Sequence, residues 1–167
     1  ASQPMTQGDT FVGIKRTFDE NGNTISEITC DAEGQPIARN AGYDEARYTY
    51  NEKNQAIKIE YLLDGNPVVM NDGVSIIERE YDDNGWVAIE SYYGINGEPV
   101  LQNNRYHRIE REYQDARHVT GEAWYDTEGK PATTGDTYVG IRRTFDERGN
   151  TISEITCDAA GQPIARN

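Results

Sequence analysis

Short runs in which apolar and polar residues alternate, closed by clusters of turn residues, recur along the whole chain. In the first, Ile14, Arg16 and Phe18 fall on one face of an extended segment. After the turn letters DENGN, Ile25, Glu27 and Thr29 return to that face, while Ile28 and Cys30 point to the other. Alternation of this kind predicts half-buried β-strands, and two such runs around Asn-Gly predict a hairpin. No stretch sustains a 3.6-residue apolar period, so no helix of consequence is expected.

The pattern is periodic. Pro4, Pro36, Pro67, Pro99, Pro131 and Pro163 are spaced by 32, 31, 32, 32 and 32 residues. Phe18, Tyr50, Tyr81, Tyr113 and Phe145 keep the same step, as do Gly34, Gly65, Gly97, Gly129 and Gly161. Three residue types holding one period identify tandem units. Pro4–Asn40 and Pro131–Asn167 differ at only six of 37 positions, beginning with Met5/Ala132, so the fifth unit is a near-duplicate of the first. A recent duplication of a four-unit block, within a longer parent protein, accounts for this.

Each unit shows two turn signals. One follows the aromatic residue (FDENGN, YNEKNQ, YDDNGW, YQDARH, FDERGN); the other precedes the proline (DAEGQP, LDGNP, INGEP, DTEGKP, DAAGQP). With Asn21-Gly22 as a two-residue type I′ loop, Glu20 pairs with Asn23, Phe18 with Ile25, Arg16 with Glu27, and Ile14 with Thr29. The Arg/Glu pair recurs as Arg79/Glu90, Arg111/Glu122 and Arg143/Glu154, and in the second unit both members change together, to Tyr48/Ile59. Such a joint change is what direct cross-strand contact predicts. The second and fourth units lack the tip glycine and carry Asn54 and Arg117 there, which calls for a longer turn, another turn type, or an asparagine in the left-handed region. A brief third strand is expected at Ile37, Val68, Val100, Ala132 and Ile164.

The fold expected is therefore all-β: an elongated tandem array of β-hairpins, a β-solenoid or β-meander, in a single array over 1–167. Its units of 31–32 residues run approximately 8–40, 41–71, 72–103, 104–135 and 136–167. Composition changes this picture in one respect. Only 35 % of residues are apolar and the mean hydropathy is −0.84, so the core is thin, although 11 Tyr and 16 Gly argue against disorder. The net charge of −13 argues against nucleic acid and anionic membranes as partners. No apolar run approaches the roughly 20 residues of a membrane-spanning helix, so membrane insertion is not expected. Cys30 and Cys157 occupy equivalent places in the first and last units, which suits two small core residues better than a disulfide.

The segment YDDNGWVAIESYY (Tyr81–Tyr93) resembles the YD-type repeats of bacterial surface and toxin-shell proteins, and YDTEGKPATTG (Tyr125–Gly135) is similar to glucan-binding and cell-wall-binding repeats. The resemblance implies stacked aromatic hairpins and a place on a bacterial surface or outside the cell. The chain departs from the cell-wall-binding pattern in having only Trp86 and Trp124, at non-equivalent positions.

The candidate chemistry follows from the aromatic columns. Tyr61, Tyr92 and Trp124 take the place of Thr29, and Leu62, Tyr93 and Tyr125 take the place of Cys30. Together with Trp86, these rings could stack on sugars as a ligand platform, or on one another as core. The turn residues Asp19, Asp31, Asp82, Asp126, Asp146 and Asp158 could offer oxygens to Ca²⁺ but match no EF-hand loop, so they read as turn formers and no metal or other cofactor is expected. A pair repeated four times, such as Arg16/Glu27, reads as a structural ladder, not a catalytic constellation. His107 and His118 have no nucleophile or zinc spacing beside them. The expectation is a non-catalytic module that binds a polysaccharide or surface protein along an exposed stripe. The alternative is a spacer, stalk or scaffold segment with no specific ligand. End-to-end self-association is a further expectation, because edge strands are ready templates for pairing.

Overall fold

A computed structural model describes residues 8–134 and 137–165. Of the sequence landmarks, Pro4, Met5, Gly135 and Asn167 lie outside the described residues. The elements are β1 (Gly13–Phe18), β2 (Thr24–Cys30), β3 (Glu45–Tyr50), β4 (Ala56–Leu63), β5 (Asn66–Pro67), β6 (Ile76–Tyr81), β7 (Val87–Tyr93), β8 (Arg108–Asp115), β9 (His118–Tyr125), β10 (Gly140–Phe145) and β11 (Thr151–Cys157). No helix occurs among the described residues. The all-β expectation holds.

The chain divides into two compact units. The first holds the chain up to Glu78 together with Tyr93–Glu98; the second holds Arg79–Tyr92 and the chain from Pro99 onward. In the first, β1, β2, β3, β4 and β6 pair in chain order, with β5 added to β4. In the second, β7 through β11 pair in chain order. Every ladder is antiparallel, so each unit is an open meander. Of the two architectures expected, the meander is the one seen.

Two kinds of ladder alternate. Within a hairpin the pairing is long: β1 and β2 share six registered pairs, from Gly13/Cys30 to Phe18/Thr24. Between successive hairpins it is short: β2 and β3 share Ser26/Arg47, Glu27/Ala46 and Ile28/Glu45, and β9 and β10 share Gly121/Arg142, Glu122/Ile141 and Ala123/Gly140.

The expected hairpin register holds for Arg16/Glu27 and Ile14/Thr29 and fails at the tip. Phe18 pairs with Thr24, not Ile25, because the register shifts by one residue after Thr17/Ser26 and leaves Ile25 as a bulge. Asn21-Gly22 is not a two-residue loop. Gly22 N–H donates to the Asp19 carbonyl (3.1 Å), Asp19 N–H donates to the Asn23 carbonyl (2.9 Å), and only Gly22 has a positive φ (84°). This is a three-residue loop with a left-handed glycine at its end. The reason is Asp19. Its Oδ1 accepts the N–H groups of Asn21 (2.9 Å) and Asn23 (2.8 Å), and its Oδ2 accepts Asn23 Nδ2 (2.9 Å), a wrapping that a two-residue loop would leave no room for. Asn54 takes the left-handed place of the missing glycine in the second repeat, with φ 58°. In the fourth, β8 and β9 run up to a two-residue loop, Ala116-Arg117.

The same wrapping recurs at the second turn, where Asp31, Asp126 and Asp158 each accept two backbone N–H groups. The type I′ loop expected at Asn21-Gly22 is instead found at Asp64-Gly65, both with positive φ (52° and 75°), between the pair Leu63/Asn66. The brief third strand expected at Val68 falls one residue earlier in the second repeat, as β5 at Asn66–Pro67. In the first, fourth and fifth it shrinks to a single bridge at the proline: Cys30/Pro36, Tyr125/Pro131 and Cys157/Pro163. Each repeat nevertheless closes with one bond, such as Ile37 N–H to the Thr29 carbonyl (2.9 Å) and Val100 N–H to the Tyr92 carbonyl (3.1 Å).

A third turn follows, which the sequence reading does not contain. Gly42 N–H donates to Arg39 carbonyl (2.9 Å) and Arg39 N–H to Tyr43 carbonyl (2.7 Å); Met70–Val74 and Gln102–Tyr106 repeat the arrangement. These turns bring Tyr43 and Val74 back over the strands of the first unit and Tyr106 over those of the second; Phe11 and Tyr138 hold the same place in their repeats. Phe11 and Val74 are buried, as are Ala46, Ile59, Ile77, Ile109 and Ile141 beneath. In each unit the core thus lies between one end of the strands and the returning turns.

Candidate functional site

Three of the six residues put forward as a ligand platform, Tyr61, Tyr92 and Trp124, pack against the returning turns. Tyr92 is 3 % exposed and Trp124 5 %. In the second compact unit the two alternate with residues of the returning turn. Tyr92 meets Tyr106 edge-on at 5.8 Å between ring centroids, Tyr106 meets Trp124 at 6.4 Å, and Trp124 meets Tyr138 at 5.9 Å. In the first unit, Tyr61 is half-buried and lies 4.7 Å from Tyr43. Offset and edge-on pairs at these distances are packing arrangements of aromatic cores. Burial, reinforced by the neighbouring Glu90 charge, pushes the Tyr92 phenol well above its ordinary value of 10.0. Its hydroxyl is committed to Glu90 Oε1 at 2.7 Å.

The remaining proposed residues are dispersed. Trp86 is half-buried at a hairpin tip and lies 5.5 Å from Tyr113; His118 occupies the equivalent place one repeat later and lies 4.7 Å from Phe145. His118 Nδ1 is also bonded to the Asp115 carboxylate at 2.7 Å. His107 Nδ1 is bonded to the Tyr92 carbonyl (2.7 Å). Tyr93 and Tyr125 are half-buried on the opposite face from Tyr92 and Trp124. Arg108 lies over the Tyr125 ring at 4.5 Å, and the Tyr125 hydroxyl donates to Glu110 Oε2 at 3.3 Å.

The Arg/Glu pairs form a ladder whose rungs are not all those expected. Arg16, Arg79 and Arg143 reach the carboxylates directly across, Glu27 (2.9 Å), Glu90 (2.7 Å) and Glu154 (2.8 Å). Arg111 faces Glu122 in register, yet it forms an ion pair with Glu90 of the preceding hairpin (4.0 Å), while Glu122 pairs with Arg143 of the following one (3.6 Å). The ladder therefore runs sideways through the repeats of the second unit, and Glu90 serves Arg79, Arg111 and Tyr92 together. In the first unit Glu27 is held from two sides, by Arg16 and by Arg39 of the third turn (2.6 Å), whose guanidinium lies over Phe11 and Tyr43.

No group of acidic, histidine or cysteine side chains suited to a metal ion occurs among the described residues, and the turn aspartates point their oxygens at their own backbone. Cys30 and Cys157 are free and buried. No helix of the described residues is long and apolar enough to cross a membrane. A hollow of about 360 Å³ in the second unit is a groove lined by Gly121 and Ala123 with Glu110, Glu112 and Arg142.

The MORN repeat variant, as a family model, matches residues 76–93. That segment is β6, its tip and β7, one hairpin of the series. By repeat spacing its counterparts are 13–30, 45–62, 108–125 and 140–157. No curated protein matches the chain. The set Phe11, Tyr43, Val74, Tyr106, Tyr138, whose tyrosines pack on Tyr61 in the first unit and on Tyr92 and Trp124 in the second, is not among the residues singled out from sequence although it keeps the repeat period. It is flanked by no strand-like alternation, so the period alone could have found it.

Proposed function

We propose that this chain is a non-catalytic scaffold segment, a spacer built from repeats that pack on one another, within a bacterial surface or secreted protein. The observation that supports this reading is the burial of Trp124 between Tyr106 and Tyr138, with Tyr92 buried against the other side of the Tyr106 contact. Rings sandwiched in this way offer no open face to a pyranose. The placement on a bacterial surface rests on the sequence resemblance alone. Replacement Trp124→Ala is the test. Loss of about 3–5 kcal/mol of stability, with a broad glycan panel silent for both proteins, fits the spacer. A saturable glycan signal lost in a variant of unchanged stability would overturn it.

A second reading, partner binding along an exposed stripe, is favoured by the groove over Gly121 and Ala123, where Glu110 and Glu112 face Arg142 beside Tyr125. It predicts that Arg142→Glu and Tyr125→Ala weaken capture of that partner, whether a surface protein or a glycan, without lowering the melting temperature appreciably.

A further inference from the structure

The short ladders between hairpins are one junction repeated. β2 meets β3 through Ser26/Arg47, Glu27/Ala46 and Ile28/Glu45. β4 meets β6 through Lys58/Glu78, Ile59/Ile77 and Glu60/Ile76, β7 meets β8 through Ile89/Glu110, Glu90/Ile109 and Ser91/Arg108, and β9 meets β10 through Gly121/Arg142, Glu122/Ile141 and Ala123/Gly140. These are the same positions of the repeat in all four. Each junction also carries one further bond at its end: Thr29 N–H to Asp44 carbonyl (2.9 Å), Tyr61 to Ser75 (3.0 Å), Tyr92 to His107 (2.9 Å), and Trp124 to Val139 (3.1 Å). The geometry tolerates a wide range of side chains and is set by the backbone.

Both halves of this junction are present a fifth time, on different strands. β11 reads TISEITC, identical to β2, which takes β3 on its outer edge. β1 reads GIKRTF against GIRRTF in β10, which receives β9 on its outer edge. We propose that β11 of one molecule pairs antiparallel with β1 of a second copy in this same register, Ser153 opposite Lys15, Glu154 opposite Ile14 and Ile155 opposite Gly13. Thr156 N–H then donates to the Val12 carbonyl. The edge asks for a strand of this pattern, and in a solution of this chain alone that strand belongs to a neighbouring copy.

Two observations support this fit besides the backbone. Ile14 is 38 % exposed, whereas Ile141, its counterpart inside a junction, is 7 % exposed. Docking would bury Ile14 as β9 buries Ile141. The ion ladder would also continue, since Arg111 reaches back to Glu90 and Arg143 to Glu122, and Arg16 of the second copy would reach Glu154 of the first. The contact is head to tail, unlike the self-complementary contact of a two-fold dimer, so each copy keeps one unpaired edge for a further copy.

Ile14 provides the test. Thr29 N–H faces β3, so the pair Ile14/Thr29 is a non-hydrogen-bonded pair of the β1/β2 ladder, and Ile14 N–H points to the outer edge. Ile14→Pro therefore removes a donor from the docking edge and none from the hairpin. Ile14→Glu instead keeps the donor and sets a carboxylate opposite Glu154. Sedimentation velocity of the full chain across a dilution series should show species that grow with concentration. Both variants, with far-UV circular dichroism unchanged, should weaken that association by about tenfold. If Ile14→Pro does not fold, Ile14→Glu carries the test. A monomer at every concentration overturns the proposal, and so does association that neither variant weakens.

Discussion

A single carboxylate decides how several of these turns close, and one repeat shows how little its point of attachment matters. Asp31, Asp126 and Asp158 hold the second turn of their repeats from its first position. The third repeat has Gly94 there. Its turn closes with the same backbone bonds, Gly94 N–H to Glu98 carbonyl (2.8 Å) and Gly97 N–H to Gly94 carbonyl (3.1 Å). Glu98, four residues on, folds its carboxylate over Gly94 and accepts Asn96 N–H at 3.0 Å. A Cβ added at Gly94 would overlap Glu98 Oε1, so the two side chains compete for one space. Glu98→Ala is expected to cost about 1 kcal/mol or less, being exposed, and the double variant Gly94→Asp, Glu98→Gln should restore the wild-type melting temperature. Thermal melts of the three proteins check this. Gly149 is less forgiving: φ is 81° and an added Cβ would fall 2.5 Å from His118 Nε2, so Gly149→Ala should destabilise by more than 1 kcal/mol, read by the same melts.

At the scale of the hairpin, the tip aspartates set the response to acid. The Asn23 side chain, followed by backbone N–H groups, holds the Asp19 carboxyl below its ordinary 3.8, and Asn150 does the same for Asp146. A lowered folded value means stability that is present above 3.8 and lost as pH falls through the lower value. The tips of the first and fifth repeats should therefore loosen only below the ordinary carboxylate range, and Asp19→Asn should remove that part of the acid transition, as amide exchange of Asn21 and Asn23 would show. These hairpins were legible in sequence because alternation and covariation between copies locate cross-strand pairs well away from the tip. The tip itself was not. Asn-Gly suggested a two-residue loop, and the preceding Asp19 overrode it by wrapping three N–H and NH₂ donors. The third turn was hidden because its residues are spaced as a loop while acting as a lid. For the same reason the lid left Tyr92 and Trp124 readable as either platform or core.

Taken whole, the chain holds several tyrosines neutral to a higher pH than a free phenol. Burial, the leading cause in each case, raises Tyr43, Tyr48, Tyr92, Tyr106, Tyr113 and Tyr125 above the ordinary 10.0. The folded state then keeps phenolic protons that the unfolded state releases, so stability is full below pH 10 and falls as pH rises beyond it. Tyrosinate absorbance at high pH should appear in two phases, the later one coinciding with loss of the β signal; a single phase near 10 would contradict the packing described. The unequal ladders have a consequence for how the molecule comes apart. A hairpin is held by about twice as many registered pairs as the seam that joins it to the next. The cheapest excursion from the native state is therefore the release of whole hairpins at their seams, like pages loosening from a binding while each page stays intact. Native-state hydrogen exchange would then sort the amides of each second strand by direction, Thr29 and Trp124 exchanging with the seams and their inward-facing neighbours only when a hairpin itself melts.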